Sequence, residues 1–291
     1  MIDTCSGGCG LVLAFSFAFR PFLDWLAASS DNVAAALPWF FPLVAGMLGA
    51  CAASLAGLVV HRLPAMRGWN DREPDLNLSL FYPRSHCDNC GEPLSAVSLI
   101  PVLGWFANRG RCPSCGHPVS WLYPAAEAAT GVLSIAILVW KGPGAAALAL
   151  LLALWLMVFV SWIDWKEREI PDCATVPLFF LGLLASPFEP DIQARVIGAL
   201  LCGAATMGAF KLTSAIKDLD GDAMSLGDVA LAGALGAWLG LCGAVPFLVA
   251  SCVVYVAYAA PLRAKGVTWV PMGPALCMGA VLIALTGLRI G

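Results

Sequence analysis

Eight apolar stretches, each close to the length of a bilayer crossing, run through the chain at 38–60, 121–140, 145–163, 171–187, 192–212, 227–243, 244–262 and 272–289. Crossing hydrocarbon takes about 20 predominantly apolar residues in a helix. Lipid offers the backbone no hydrogen-bond partners, so stretches of this kind satisfy their amides internally as helices. The expectation is an all-α polytopic membrane protein with about eight transmembrane helices, surrounded by membrane lipid. Composition agrees: 60% of residues are hydrophobic and 12% charged. A net charge of -3 without a long basic run argues against nucleic acid as a partner. Residues 1–37 lack the basic segment of a signal peptide, and their apolar run at 11–19 is too short to span. They read as an N-terminal extension, interfacial or weakly ordered.

Lys and Arg orient the spans. Counting alternate loops, one side holds Arg62, Arg67, Arg72, Arg84, Arg109, Arg111, Lys166, Arg168, Lys211, Lys217, Arg263 and Lys265, and the other only Arg20, Lys141, Arg195 and Arg289. The positive side is the cytoplasmic one. The 61–120 loop is therefore expected in the cytoplasm, between spans 1 and 2, with both termini on the far side. A segment of this size is too small to build a large core unaided, and cytoplasmic thiols stay reduced, so a metal is the expected staple.

That loop carries the same phrase twice, "HCDNCGEPLS" at 86–95 and "CPSCGHPVS" at 112–120. Cys87 and Cys90 are separated from Cys112 and Cys115 by 21 residues, close to the spacing of a closed tetrahedral zinc site. Gly91 and Gly116 suit a tight turn in which backbone N–H groups face thiolate sulfur, and the prolines that follow prevent helix. Four thiolates leave no open position, so the zinc would be structural. A redox dithiol pair, unmetallated thiols, and His86 or His117 as substitute ligands are the alternatives. The other eight of the twelve cysteines are scattered, mostly in apolar stretches, as small hydrophobes.

Two acidic residues sit at span edges: Asp164 in "SWIDWKEREIPD" and Asp228 in "AMSLGDVALAGALGAWLG". The Lys and Arg count places both on the cytoplasmic face. A carboxylate at the edge of an apolar helix is costly and marks a functional site unless it only caps a helix or snorkels. Two such carboxyls in a low-dielectric site cannot both ionise, so one holds a proton while the other acts as base. Such a pair can activate water against a peptide carbonyl and protonate the leaving amine. Asp172 is the alternative to Asp164, with helix capping as its plainer role.

In order and spacing, "HRLP" (61–64), the two C-x-x-C knuckles, "GRC" (110–112), "YPAAE" (123–127), "DWKEREIPD" (164–172), "GDVALAGALGAWLG" (227–240) and "MGPAL" (272–276) resemble the bacterial type IV prepilin peptidases over about 43–288. The resemblance implies a bifunctional enzyme of the inner membrane: an aspartic peptidase of the G-x-G-D type with Asp164 and Asp228 as catalytic pair, and an N-methyltransferase using S-adenosylmethionine. Its substrates would be prepilins or pseudopilins, cut after a glycine and methylated on the new N-terminal residue, usually phenylalanine. The 61–120 loop would be the methylation-associated zinc domain and 121–291 the transmembrane peptidase. Two positions depart from the family pattern: its first G-x-G-D glycine is Ser225, and its usual lysine two residues past the aspartate is Ala230.

No glycine-rich dinucleotide loop follows a strand, so a conventional soluble methyltransferase fold is not expected. Glu127, at the start of the second span, is a candidate for orienting the amine or the cofactor, with the helix macrodipole as the plainer account. Trp39, Trp105, Trp121, Trp140, Trp162 and Trp165 read as an aromatic belt at span ends, and Gly233, Gly236 and Ala237 as small residues that let helices approach. The acidic run "KDLDGD" at 217–222 lacks the glycine position and glutamate of a calcium loop and reads as solvated. A peptidase without methyl transfer and a non-catalytic zinc-stabilised scaffold or transporter are the rival readings.

Overall fold

The computed structural model describes residues 29, 32–70, 72–216 and 225–288. Most of the N-terminal extension and all of the 217–222 acidic run lie outside the described residues. Seven helices carry the apolar sequence: α1 Phe40–Arg67, α2 Leu122–Lys141, α3 Ala145–Glu167, α4 Asp172–Ala185, α5 Ile192–Ile216, α6 Leu226–Ala264 and α7 Gly273–Thr286. No strand occurs among the described residues beyond two isolated bridges, His86 with Pro93 and Arg111 with Pro118.

Helices α1, α2, α3, α5 and α6 are long and apolar enough to cross a membrane. The stretches at 171–187 and 272–289, expected as full spans, form helices of only 14 residues each, about 21 Å long against a hydrocarbon core of about 30 Å. Chain chemistry trims them. Pro171 holds extended backbone before α4, and Gly287, left-handed at φ 64°, ends α7. Helix α1 instead outruns its expected end at residue 60, continuing through His61 and Arg62 to Arg67. Hydropathy marks where lipid ends, not where a helix does.

Helix α6 contains two apolar stretches with no polar hinge between them, and it is broken at Gly240 (φ 71°, ψ -176°). A continuous helix would hold Asp228 and Tyr258 about 45 Å apart, yet Tyr258 lies within electrostatic reach of both Asp164 and Asp228. The chain therefore doubles back at Gly240, with one arm over 226–239 and the other over 241–264. The turn is sealed from outside: a Cβ at Gly240 would lie 2.6 Å from Glu189 Cγ, so the α4–α5 loop covers it.

Small residues set the helix contacts, as they do where lipid provides no hydrophobic drive between helices. A Cβ on Gly236 would lie 2.6 Å from the Gly198 carbonyl oxygen, and one on Gly49 would lie 2.2 Å from Ser134 Oγ. These positions bring α6 against α5 and α1 against α2, the packing role expected of "GALGAWLG". The core gathers Val160, Leu178, Leu231, Leu235, Trp238, Phe247 and Leu276 from α3, α4, α6 and α7, and Trp238 Nε1 donates to the Leu178 carbonyl at 2.9 Å.

The 68–121 segment docks on this bundle through polar clasps. The buried Arg62 guanidinium donates to the carbonyls of Ser79 (2.8 Å) and Pro83 (2.7 Å), fixing the descending loop to the end of α1. Asn70 Nδ2 donates to Glu167 Oε2 at 3.1 Å and Arg72 pairs with the same carboxylate at 3.2 Å, tying the loop to the last turn of α3.

Candidate functional site

The repeated cysteine phrases fold into two matching turns. Gly91 N–H donates to the Cys87 carbonyl and Gly116 N–H to that of Cys112, while Cys87 N–H reaches Glu92 and Cys112 N–H reaches His117. Gly91 and Gly116 are left-handed (φ 71° and 73°), a conformation that excludes most other residues from this turn. The four sulfurs all lie within 4.8 Å of one another, with Cys87 and Cys115 at 3.8 Å and Cys90 and Cys112 at 4.0 Å. Tetrahedral zinc with bonds of about 2.3 Å sets sulfur–sulfur edges near 3.8 Å, so the donor set fits that metal. His86 and His117 are not in the cluster. The Cys115 thiol is drawn down to about 6, first by the His117 backbone N–H and then by the Asn89 amide. Cys90 goes the other way: the Glu92 backbone N–H lowers it, but desolvation and the neighbouring sulfurs outweigh that and push it up to about 12.

Asp164 and Asp228, 64 residues apart in sequence, come to the same end of the bundle from the last turn of α3 and the first turn of α6. Both are buried, 2% and 5% exposed, and they interact electrostatically. Their supports differ. Asp164 Oδ2 accepts the Gly273 N–H at 2.7 Å, and a Cβ at residue 273 would lie 2.6 Å from that oxygen. Asp228 Oδ2 accepts the Ser225 N–H at 2.8 Å, closing a capping box on its own helix. Its second oxygen, Oδ1, is buried with no hydrogen-bond partner among the described residues. The same holds for Thr175 Oγ1 in the first turn of α4. Buried oxygens left without protein partners are places for ordered water or for a polar ligand.

Aromatic residues brace this end. Tyr258 donates its hydroxyl to the Pro271 carbonyl, packs at a tilt against Trp165 at 6.1 Å and meets Tyr255 edge-on at 5.7 Å. It thereby holds the segment that delivers Gly273 to Asp164. Asp172 is exposed at the start of α4, unlike the buried pair.

Between α1, α2 and the cysteine turns lies a cavity of about 510 Å³, lined among others by Gly57, His61, Asp88, Trp105, Arg111, Tyr123 and Glu127. Glu127 is buried, and its Oε2 accepts the Val102 N–H at 2.6 Å. Trp105 and Trp162, expected in the aromatic belt, belong instead to this region. Trp105 Nε1 donates to the Val119 carbonyl at 3.0 Å, and Trp162 packs on Tyr123 at 5.4 Å. Trp39, Trp121, Trp140 and Trp165 are exposed.

Residues 47–141 match the bacterial peptidase A24 N-terminal domain and residues 148–260 the type IV leader peptidase family. Over 227 residues the chain is 36% identical to the prepilin leader peptidase/N-methyltransferase of Aeromonas hydrophila, which covers 72% of this chain and 77% of that relative. The chain belongs to the type IV leader peptidase family. It is also 31% identical to the protein of the same description from Stutzerimonas stutzeri, over 86% of this chain and 92% of that one, and 30% identical to that of Legionella pneumophila, over 86% and 93%. No solved structure matches it.

Both departures from the family pattern have a structural reading. Ser225 supplies the N-cap of α6, and Ala230 is exposed, so the missing lysine leaves no gap beside Asp228. Gly227 is held to glycine by contact, since a Cβ there would lie 2.8 Å from Ile170 Cβ. Sequence analysis assigned no supporting role to Gly273 or Tyr258. The phrase "MGPAL" pointed to the first, and nothing pointed to the second.

Proposed function

We propose that this chain is an aspartic endopeptidase of the cytoplasmic (inner) membrane that removes the leader of prepilins and related pseudopilins after glycine, and then methylates the new N-terminus. The observation that carries the peptidase reading is the buried pair Asp164 and Asp228 at one end of an apolar bundle. One carboxyl holds a proton. The other takes a proton from water, whose oxygen attacks the scissile carbonyl carbon. As the tetrahedral adduct collapses, the C–N bond breaks, and the protonated carboxyl delivers its proton to the leaving amine. The Gly273 N–H on Asp164 and the Ser225 N–H on Asp228 hold each carboxyl in place, leaving Asp228 Oδ1 free for water.

The excess of Lys and Arg at the end of the bundle that holds this pair supports a cytoplasmic site. A basic leader would stay in the cytoplasm while the apolar helix of the prepilin lies in lipid. Cys87, Cys90, Cys112 and Cys115 would hold a structural zinc that staples the 61–120 domain, and 121–291 would form the peptidase. S-adenosylmethionine, when bound, would supply an electrophilic methyl group to the neutral amine, whose surplus proton would leave to water. Glu127 is the residue we assign to orienting amine or donor.

The test is mass spectrometry of a co-expressed prepilin. The wild type should yield a pilin shortened after glycine and heavier by one methyl group, and Asp164→Asn or Asp228→Asn should leave the leader attached. Cleavage that persists in both variants would refute the dyad. A pilin that is shortened but unmethylated would reduce the reading to a peptidase.

A further inference from the structure

We propose that the cavity between α1, α2 and the cysteine turns is the binding site of the methyl donor, with the Glu127 carboxylate facing its sulfonium and Arg111 its carboxylate. The inference rests on the methyl-transfer reading above and gives that activity a place. A volume of about 510 Å³ falls within the range of about 300–1,000 Å³ typical of small-molecule sites, and a nucleoside with an amino-acid tail is of that size.

The charges match. The donor carries two positive groups, sulfonium and ammonium, and one carboxylate. The lining carries two carboxylates, Glu127 and Asp88, the latter paired with His61 at 3.5 Å, and two guanidiniums, Arg62, which is engaged by the Ser79 and Pro83 carbonyls, and Arg111, whose side chain makes no hydrogen bond or ion pair among the described residues. Glu127 is 7% exposed, and only its Oε2 is engaged, by the Val102 N–H; Oε1 makes no hydrogen bond among the described residues. A buried carboxylate on a cavity wall attracts a permanent cation more strongly than it would in water, because little solvent screens the pair.

Aromatic surface is also present. Trp105 offers an indole wall for a purine, held by its bond to Val119 and by contact with Gly110, where a Cβ would lie 2.6 Å from the ring. The cavity also borders the peptidase. Tyr123 packs on Trp162, two residues before Asp164, which is about 3 Å of helical rise. Residues two apart face opposite sides of a helix, so a cleaved N-terminus would pass around α3 to reach the donor.

The test is calorimetric titration of the detergent-purified full-length protein with S-adenosylmethionine and, separately, with S-adenosylhomocysteine, whose sulfur is neutral. In Glu127→Gln the amide oxygen can still accept the Val102 N–H, and the melting temperature checks the fold. Glu127→Gln should weaken S-adenosylmethionine tenfold or more while changing S-adenosylhomocysteine less than threefold. Arg111→Ala, at an exposed position, should weaken both ligands alike. Wild-type affinity for S-adenosylmethionine in both variants would overturn this site and leave the methyl-transfer reading standing. A wild-type protein that binds neither ligand would overturn both.

Discussion

Each end of the helical bundle buries charge, and the two ends treat it in opposite ways. At the turn of α6, the buried Arg195 guanidinium donates to the carbonyls of Leu183 (2.7 Å), Ser186 (2.9 Å) and Glu189, closing the α4–α5 loop over Gly240. At the other end, Asp164 and Asp228 are equally buried, but each has a single close N–H partner, and Asp228 Oδ1 has none among the described residues. A charge whose hydrogen bonds are satisfied by its own backbone holds structure together. A charge left under-satisfied costs stability, and its retention points to chemistry.

Substitutions should separate the two ends, and the largest effect belongs to the carboxylates. Asp164→Asn should cut the cleavage rate by on the order of 10³-fold, measured on a synthetic prepilin peptide, because one of two proton-transfer groups is lost. Gly273→Ala comes next. Its Cβ would lie 2.6 Å from Asp164 Oδ2, and a carboxylate displaced by about 1 Å should lose on the order of 10²-fold in kcat at nearly unchanged KM. At the far end, Arg195→Met should lower unfolding stability by about 3 kcal/mol by stranding backbone carbonyls, while cleavage per folded molecule stays within about twofold. Should Arg195→Met abolish cleavage in folded protein, the division between the ends fails.

The smallest effect concerns zinc and pH. Metal competes with protons for thiolate. Cys115, drawn down to about 6, is already ionised above that pH and releases no proton on loading. Below pH 6 it adds a competing proton, so zinc affinity should fall more steeply by about one decade per pH unit. Cys90, pushed up to about 12, must surrender its proton throughout. A chelator-competition titration between pH 5 and 8 should show the change of slope near 6, and a constant slope would contradict it.

Sequence made the two halves of the site legible to different degrees. The cysteine turns are local: both ligand pairs, their glycines and their prolines lie within short phrases, so spacing alone announced the cluster. The carboxylates are distant in sequence, and only the alternation of Lys and Arg placed them on one face. Their supports were hidden. Gly273 reaches Asp164 across 109 residues, and no periodicity marks that contact. The reversal at Gly240 lies inside an unbroken apolar run, where hydropathy counts two spans without showing how they join. Tyr258 joins the site only because of that reversal. Trp105 and Trp162 were misassigned for a related reason: proximity to a span end cannot distinguish a lipid-facing ring from one that packs inward.

The most direct test of the paired-carboxyl claim is the pH dependence of kcat/KM for prepilin cleavage by the wild-type protein in lipid. Two coupled carboxyls that work with one shared proton predict a bell, with activity lost when the pair gains a second proton at low pH and when it loses its last at high pH. A profile that rises to a plateau, with a single ionisation, would contradict the pair and leave one aspartate as a structural cap.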